Sequence, residues 1–389
     1  MAACTVKEGP DESSGSTGTT VESAGVTEES PTEGATSVST EVASEGSSGA
    51  ATTDTTGGMP GETKVAEWTV EWSDPMAFEI GHAVAVALSG EILVAGVRDG
   101  GQDGETRGWV AAVDPNGQKL WRSDFVIPGG GKGSDARLAL DAADTIYLAT
   151  DQLHRVTMTG ELVWATSLMF APMTRGFDSL LAVGDGVYTA HEATPGEKRI
   201  IRHDPASGDP LWDTPLAVSD SPVQLAAWGD RIFAFSPEAM RELDADDGTP
   251  GPETALAHEG VQILEWRFLG DDLLARGEVL DPSSPSVLRR TAQDGTPVWE
   301  HMFGGPDAYG MALGPAGAIA VAGTIDDEAP LLVGFTADGA MTWTADPGLA
   351  QGVLGFSTGT AFGPGFVVEV GAEYSDSLLL RAVLRKYMF

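Results

Sequence analysis

Asp114-Pro115-Asn116-Gly117-Gln118-Lys119-Leu120-Trp121 is a stretch whose pattern returns along most of this chain, a tight turn that ends in glycine with tryptophan four residues later. The same interval recurs at Gly160 and Trp164, Gly208 and Trp212, Gly295 and Trp299, and Gly339 and Trp343. Gly248 begins a further copy in which Pro252 holds the tryptophan position. Successive glycines are 43, 48, 40, 47 and 44 residues apart, a period typical of propeller blades. The repeat therefore predicts an array of similar β-sheet units.

The turn before each tryptophan has a clear chemical logic. The Asp114 side chain can accept hydrogen bonds from the backbone ahead of it, Pro115 pre-sets its own backbone angle, and Gly117 accepts a positive φ. The tryptophan then falls in the fourth strand of its unit, where we expect its large ring to fill the space between neighbouring blades. The tryptophans to which we assign this structural role are Trp72, Trp121, Trp164, Trp212, Trp299 and Trp343.

The number of units and the closure of the array follow from the two ends of the repeat. Each unit has four strands, and the turn lies between the third and the fourth. The seventh unit ends with its third strand, residues 378–389, and has no fourth strand after it. An isolated strand at 64–72 precedes the first unit. We predict that the isolated strand completes the last blade, because closing the ring removes exposed sheet edges. The predicted fold is an all-β, seven-bladed β-propeller over residues 64–389, with six or eight blades as the alternatives.

Residues 1–63 have a different composition. Met1-Ala2-Ala3-Cys4 resembles the end of a bacterial lipobox, although the charged and apolar parts of a signal peptide are missing before it. Residues 5–63 are mainly Ser, Thr, Gly, Glu and Ala, which cannot bury enough apolar surface to offset the entropy of ordering the backbone. We therefore expect a remnant lipobox at 1–4 with lipidation at Cys4, and a disordered linker at 5–63. A free N-terminal thiol on a cytosolic protein is the alternative.

Charge and composition limit the classes of partner. The formal net charge is -36 and the pI about 4.2, so nucleic acid and anionic membrane surfaces would be repelled at long range. No apolar run approaches the ~20 residues of a membrane span, so we expect membrane contact only through a lipid anchor. Cys4 is the one cysteine, which excludes an intramolecular disulfide. We expect a monomer.

Three of these units carry a family resemblance. VAAVDPNGQKLW (110–121), IIRHDPASGDPLW (200–212) and VLRRTAQDGTPVWEHMF (287–303) resemble the pyrroloquinoline-quinone-like (PQQ-like) propeller repeat. This repeat occurs in quinoprotein dehydrogenases and in the propeller lipoprotein of the outer-membrane barrel-assembly machinery. The resemblance covers most of 64–389 and implies the fold more strongly than the function, because the repeat is a packing motif. With the N-terminal segment, the chain looks like a bacterial surface lipoprotein.

The cofactor of quinoproteins is not expected in this chain. The resemblance to quinoprotein dehydrogenases would imply eight blades, a calcium ion held partly by asparagine, and often a vicinal cysteine pair. Asn116 is the one asparagine and belongs to a turn, and Cys4 lies outside the propeller. We therefore predict no cofactor.

Several short motifs do not support catalysis or ion binding. Residues 355–359 match a nucleophile elbow, but the last histidine, His301, precedes them rather than following. Residues 129–134 are rich in glycine, but their lysine is followed by glycine instead of Ser or Thr. Residues 244–248 begin like a calcium loop, but Ala255 stands where the bidentate glutamate would be. The histidines, which show no metal-ligand spacing, are His82, His154, His191, His203, His258 and His301. No metal site is predicted.

The loops between units are the best candidates for a binding surface, because a rigid ring presents them together at one face. Segments 169–177 and 301–309 carry aromatic and charged residues. The predicted binding face consists of Phe170, Arg175, Phe177, His301, Asp307 and Tyr309. The same residues can instead line the central channel.

Two hypotheses for the function follow. The first is a non-enzymatic, surface-tethered propeller that binds a protein, peptide or glycan, located in the cell envelope as an outer-membrane lipoprotein or outside the cell. The second is an enzyme, a degenerate quinoprotein or another propeller enzyme, with its site on the channel. Carboxylates with a basic partner in the channel would favour the enzyme, and an apolar channel would count against it.

Overall fold

A computed structural model of the protein describes most of the chain from Gly61 onward. The described ranges are 61–74, 76–100, 104–127, 135–167, 177–194, 196–217, 222–256, 260–279, 285–293, 295–303, 307–325, 329–349, 353–374 and 379–389. These ranges form β-strands and turns, with one short 3₁₀ helix, Pro315–Gly317. The predictions for 1–4, Cys4 and most of 5–63 lie outside the described residues and stay predictions.

Two short strands open the described chain and the first three blades follow. The opening strands are β1 (Glu62–Val65) and β2 (Trp68–Trp72). Blade 1 consists of β3 (Ala77–Val86), β4 (Ile92–Gly100), β5 (Arg107–Val113) and β6 (Lys119–Val126). Blade 2 consists of β7 (Arg137–Leu140), β8 (Ile146–Ala149), β9 (Gln152–Val156) and β10 (Leu162–Ser167). Blade 3 consists of β11 (Phe177–Val183), β12 (Gly186–Thr194), β13 (Glu197–His203) and β14 (Pro210–Ala217).

Four more blades complete the ring. Blade 4 consists of β15 (Gln224–Trp228), β16 (Arg231–Phe235), β17 (Ala239–Leu243) and β18 (Thr254–Ala255). Blade 5 consists of β19 (Val261–Leu269), β20 (Asp272–Val279), β21 (Ser286–Thr291) and β22 (Pro297–Phe303). Blade 6 consists of β23 (Asp307–Leu313), β24 (Ile319–Ile325), β25 (Ala329–Phe335) and β26 (Met341–Asp346), with β1 at its edge. Blade 7 consists of β27 (Gly355–Gly363), β28 (Phe366–Tyr374), β29 (Leu380–Met388) and β2. The predicted seven-bladed propeller closed by an N-terminal strand is confirmed.

The closure uses two strands where the sequence pattern predicted one. β2 pairs antiparallel with β29, so that Trp68 lies opposite Lys386. β1 pairs in parallel with β26 of blade 6. The predicted strand at 64–72 is therefore interrupted, because Ala66 and Glu67 take the chain from the edge of one blade to the edge of the next. The Glu67 N–H donates to the Lys386 carbonyl at 2.7 Å.

The hydrophobic core is divided among the seven interfaces between consecutive blades, which we call joints and number by their blades. Each joint has its own cluster of buried side chains. β4 shows why the second strands are almost continuously apolar. Ile92 and Val94 face blade 7, whereas Leu93 and Ala95 face blade 2. A strand covered on both faces cannot show the alternation of a half-exposed strand.

A recurring contact, which we call the turn lock, joins one blade to the next. At joint 3/4 the Trp212 indole N–H donates to the Ala245 carbonyl at 3.0 Å. A Cβ added at Gly248, whose φ is +75°, would lie 2.5 Å from the Trp212 ring. Only glycine fits there, because the turn requires a positive φ and the ring lies against its Cα. Equivalent indole bonds run from Trp68 to Pro115, Trp121 to Met158, Trp164 to Pro205 and Trp299 to Ala337.

Two more side chains strengthen the turn lock. The Thr214 hydroxyl donates to the Gly248 carbonyl at 2.9 Å, and the Arg202 guanidinium donates to the Ala245 carbonyl at 2.8 Å. Hydroxyls in the place of Thr214 are those of Ser123 and Thr166, and cations in the place of Arg202 are Arg155, Arg290 and Lys386. The sequence therefore contains two signals of the lock in addition to the interval between glycine and tryptophan. These are the W-x-[ST] pattern and a basic residue in the third strand.

Trp72 does not take part in a turn lock. Its ring is buried and packs against Trp109 with ring centroids 5.5 Å apart, whereas the indole that docks on the turn of blade 1 belongs to Trp68. The register explains the difference, since Trp68 lies opposite Lys386 as Trp212 lies opposite Arg202.

Joint 6/7 is built differently because blade 7 has no turn between its third and fourth strands. Trp343 lies over Gly334 of its own blade and packs against Phe389, with ring centroids 5.4 Å apart. An apolar cavity of about 560 Å³ lies beside these rings and Phe362. The cavity lies where a turn would pack against the tryptophan at the joints that have a turn lock.

Candidate functional site

The central channel is lined by the first strand of each blade, and five of these inner strands contain a β-bulge. The residues added by the bulges are His82, Asp178, Leu264, Tyr309 and Thr358. All five line the same cavity in the channel. A bulge re-aims a side chain and interrupts strand pairing, which is why bulges are common near functional sites.

Hydrogen bonds connect neighbouring inner strands around the channel. The Thr358 hydroxyl donates to the Gly81 carbonyl at 2.5 Å, joining blades 7 and 1. The Leu225 N–H donates to the Ser179 hydroxyl at 3.0 Å, joining blades 3 and 4. The Gln224 side-chain oxygen accepts from the backbone N–H of Trp266 at 2.8 Å, joining blades 4 and 5. These bonds hold the bulged segments in fixed positions around the cavity.

The cavity measures about 270 Å³, and every blade contributes to its lining. We call the end of the channel at which the inner strands begin the upper face. Arg137 and Gln224 are the first residues of β7 and β15, the two inner strands without a bulge, and both line the cavity. The lining is polar and contains charged side chains, so the channel is not an apolar plug.

On the side of blades 1 to 3, one histidine, two acidic groups and two cations lie close together. The Arg137 guanidinium and the His82 ring lie 3.3 Å and 3.6 Å from the Asp135 carboxylate. The Asp178 carboxylate lies 3.0 Å from the Lys198 ammonium, which is almost fully buried.

Burial changes the titration of two of these groups. Burial lowers the pKa of His82 to about 4, with Asp135 opposing the shift and Arg137 adding to it. The His82 ring is therefore neutral at pH 7. Burial also raises the pKa of Asp178, against the effect of Lys198.

On the side of blades 5 and 6, one carboxylate is shared by two arginines. Glu265 lies 2.6 Å from Arg267 and 3.2 Å from Arg276. Arg276 is buried and also donates to the Tyr309 carbonyl at 3.3 Å. The Arg267 side chain is 43% exposed and lines the cavity.

Two residues of the predicted binding face, Tyr309 and His301, have side chains that the structure describes, and these two lie apart. Tyr309 lines the channel and is 45% exposed. His301 lies in β22, the outer strand of blade 5, where its ring packs between Trp299 and Phe335. Phe177 and Asp307 begin the inner strands β11 and β23. Phe170 and Arg175 lie outside the described residues.

The short motifs have structural surroundings. Ser357 is buried in β27 and its hydroxyl donates to Glu369 at 3.0 Å, so 355–359 is a strand and not a nucleophile elbow. The segment 244–248 forms the turn on which Trp212 docks. Segment 129–134 and His258 lie outside the described residues.

Two features are absent from the described residues. No group of three or more His, Cys, Asp or Glu residues there could hold a metal ion. Likewise, the part of the chain that the structure describes contains no helix long and apolar enough to cross a membrane.

The family comparison decides the type of repeat. A PQQ family model, described as outer membrane protein assembly factor BamB, matches residues 106–271, from the end of blade 1 to the start of blade 5. The protein is a β-propeller, and its residues 106–271 match PQQ-like repeats. No curated protein sequence matches this PQQ-like propeller.

Solved structures similar to the PQQ-like propeller have low sequence identity. A catalytically inactive virginiamycin B lyase from Staphylococcus aureus with quinupristin is 11% identical, with a TM-score of 0.56 over 82% of this chain and 99% of the other. The WD40 β-propeller domain of Doa1 is 11% identical, with a TM-score of 0.53 over 83% and 96% of the two chains. BamB from Moraxella catarrhalis is 14% identical, with a TM-score of 0.45 over 79% and 85%. The first two show the shared propeller fold.

Proposed function

We propose that this PQQ-like propeller is a non-enzymatic binding protein that holds one group of a protein, peptide or glycan partner in its central channel. The polar cavity of about 270 Å³, lined by all seven blades, carries the proposal. Pockets for whole small-molecule ligands measure about 300–1,000 Å³. A smaller cavity at the mouth of a rigid ring fits one side chain or one sugar unit, with the rest of the partner lying on the upper face.

The proposal places the propeller in the cell envelope, tethered through Cys4 with residues 5–63 as the linker. Support comes from the lipobox-like residues 1–4 and from the description of the matched family as an outer membrane protein assembly factor. A Cys4→Ser variant should lose its association with the membrane fraction. Retention of that variant in the membrane would contradict a lipid tether at this residue.

Photocrosslinking from the channel tests the partner site. A p-benzoylphenylalanine is placed at Tyr309, which lines the channel, in the full chain expressed in its source cells. The matched control carries the same group at Leu88, which is 81% exposed in the hairpin after β3 and therefore at the opposite end of the channel. Irradiated cells are analysed by blotting and mass spectrometry.

We expect a defined adduct from Tyr309→p-benzoylphenylalanine and none of that mass from Leu88→p-benzoylphenylalanine. The same adducts from both positions, or none from Tyr309 while the variant remains folded, would overturn a partner site at the upper face.

Catalysis in the same channel is the second candidate function, and the channel meets the condition given for an enzyme, since it contains carboxylates with basic partners. Asp178 favours it, because burial raises the pKa of this carboxyl and Lys198 lies 3.0 Å away, so an acid and a basic partner share the cavity. The two functions differ in the fate of the bound molecule. A binding protein returns its ligand with unchanged mass, whereas an enzyme returns a product whose formation stops in Asp178→Asn.

A further inference from the structure

The charges that face the cavity run against the charge of the whole chain. The sequence has 58 acidic residues against 22 lysines and arginines. The cavity is instead lined by three arginines, Arg137, Arg267 and Arg276, against two carboxylates, Asp178 and Glu265. The His82 ring, which also lines the cavity, is neutral at pH 7 because burial lowers its pKa to about 4. A local excess of positive charge in an acidic protein needs an explanation beyond solubility.

Arg267 has donors available for a ligand. One of its terminal nitrogens contacts the Glu265 carboxylate at 2.6 Å, and the other oxygen of Glu265 faces Arg276 at 3.2 Å. A guanidinium has five N–H donors in a planar fork, so a single carboxylate contact leaves several of them for other groups. Because 43% of the Arg267 side chain is exposed where it lines the cavity, those donors can reach a bound molecule.

Arg137 offers a second fork on the other side of the cavity. Its contact with Asp135 is long, at 3.3 Å, and its buried Nε has no hydrogen-bond partner among the described residues. The side chain is 40% exposed. The Asp178 carboxylate is occupied by Lys198 at 3.0 Å and by the Val223 N–H at 3.2 Å. Arg137 is therefore not fully satisfied by its acidic neighbours.

We propose that the group bound in the channel is a carboxylate, held by Arg267 and Arg137. The planar arginine fork matches the two oxygens of a carboxylate and forms charge-assisted hydrogen bonds with them. A cavity of about 270 Å³ has room for one acidic side chain or one sugar acid. The inference rests on the proposed function and names the chemistry of the ligand group that the channel selects.

Calorimetric titration of the full chain with matched acid and neutral probes tests the inference. Glucuronate is compared with glucose, and N-acetyl-glutamic acid amide, which has a free side-chain carboxyl, with N-acetyl-glutamine amide. The two pairs distinguish a sugar acid from an amino-acid side chain. We expect the acid of at least one pair to bind about 10- to 100-fold more tightly than its neutral partner, the range for hydrogen bonds to charged groups.

Three variants locate the effect. Arg267→Gln and Arg137→Gln should each remove most of the preference for the acid. Arg267→Lys, which keeps the positive charge but loses the fork, should retain part of it. The matched control is Arg241→Gln, since Arg241 of β17 pairs with Glu253, which precedes β18 in the outer part of blade 4, and neither residue lines the cavity. Unfolding temperatures identify any variant that does not fold.

The carboxylate inference is overturned by any of four results. These are equal binding of acid and neutral probes, no binding of any probe, tighter binding of inorganic phosphate than of both acids, or an equal loss in Arg241→Gln. Its failure is distinguishable from failure of the proposed function. A defined adduct from Tyr309 without a preference for acids overturns only the inference that the bound group is a carboxylate. Acid binding without the adduct overturns the proposal that the channel holds a macromolecular partner.

Discussion

Joints 3/4 and 4/5 solve the same packing problem by different means. At joint 3/4 the Trp212 ring lies on Gly248, and its N–H donates to the Ala245 carbonyl at 3.0 Å. At joint 4/5 the equivalent tryptophan position holds Pro252, and a Cβ added at Gly295 would meet no atom within 4 Å. The turn lock is therefore absent where its tryptophan is absent, although the glycine of the turn remains.

Aromatic packing nearer the channel takes the place of the lock at joint 4/5. Phe235 of blade 4 stacks on Trp266 of blade 5 with ring centroids 5.5 Å apart. The ring centroids of Phe233 and Phe268 are 4.9 Å apart. Trp228 stacks on the same Phe268 ring, with centroids 5.8 Å apart. Aromatic pairs contribute about 0.5–1.5 kcal/mol each beyond their buried area. The tryptophan on the turn is therefore one way of filling a joint, and aromatic packing nearer the channel is another.

A matched pair of glycine substitutions should produce the largest difference between the two joints. Gly248→Ala and Gly295→Ala both place a side chain at a positive φ, +75° and +86°. This conformation costs roughly 1–2 kcal/mol for a residue with a Cβ. Gly248→Ala also forces its methyl group against Trp212, which should add about 1–3 kcal/mol of overpacking. Urea unfolding of the full chain measures both losses.

Removal of the ring provides the control. In a background that combines Trp212→Ala with Thr214→Ala, Gly248→Ala should cost about as much as Gly295→Ala, because the ring and the hydroxyl that the methyl group would meet, each 2.5 Å away, are both gone. Equal losses for the two glycine variants in the native background would show that the turn lock adds no steric constraint.

Two buried histidines should give a smaller, pH-dependent difference. His154 at joint 1/2 packs on Phe125 with ring centroids 4.6 Å apart, and its ring nitrogens have no hydrogen-bond partner among the described residues. His203 at joint 2/3 bonds to the Gly208 carbonyl at 3.1 Å and to the Thr189 hydroxyl at 3.0 Å. Burial lowers the pKa of each ring to about 4.

The sign of the pH effect follows from the pKa of about 6.5 in an unfolded chain. Between pH 6.5 and 4 the unfolded chain binds a proton that the folded chain does not, so stability falls as the pH falls. His154→Leu should remove about 1–2 kcal/mol of the loss between pH 7 and pH 5 at little cost at pH 7. His203→Leu should remove a similar loss but cost about 1–3 kcal/mol at pH 7, since two polar groups lose their partner.

Urea unfolding at pH 7 and pH 5 measures these differences. Equal losses on acidification for the native chain and His154→Leu would mean that this histidine does not titrate as a buried ring.

Most of the fold could be predicted from the sequence because its determinants are local. Gly208 and Trp212 are four residues apart, and their recurrence fixes both the period and the strand that carries the tryptophan. β1 could not be predicted, since Glu62–Val65 has no pattern of its own and pairs with an edge created far away at β26. The choice of Trp72 over Trp68 as the locking residue failed for the same reason, because it depends on register with β29.

The candidate site was less accessible from the sequence. His82 and Asp178 are extra residues of β-bulges because of the register between the first and second strands of their blades. No local residue pattern reveals that register. Tyr309 was included in the predicted binding face because the segment 301–309 carries aromatic and charged residues, and it lines the channel. Arg137 and Arg267 were not singled out, since single arginines in a repeat of similar strands carry no signature until the ring brings them to one cavity.

The central claim, that the channel is where this propeller holds its ligand, is tested most directly by mapping a bound probe. Amide chemical shifts of the isotope-labelled full chain are measured with increasing N-acetyl-glutamic acid amide. The account predicts that the shifted resonances cluster on the bulged segments of the inner strands, around His82, Asp178, Leu264 and Tyr309. Shifts confined to the outer strands would contradict it.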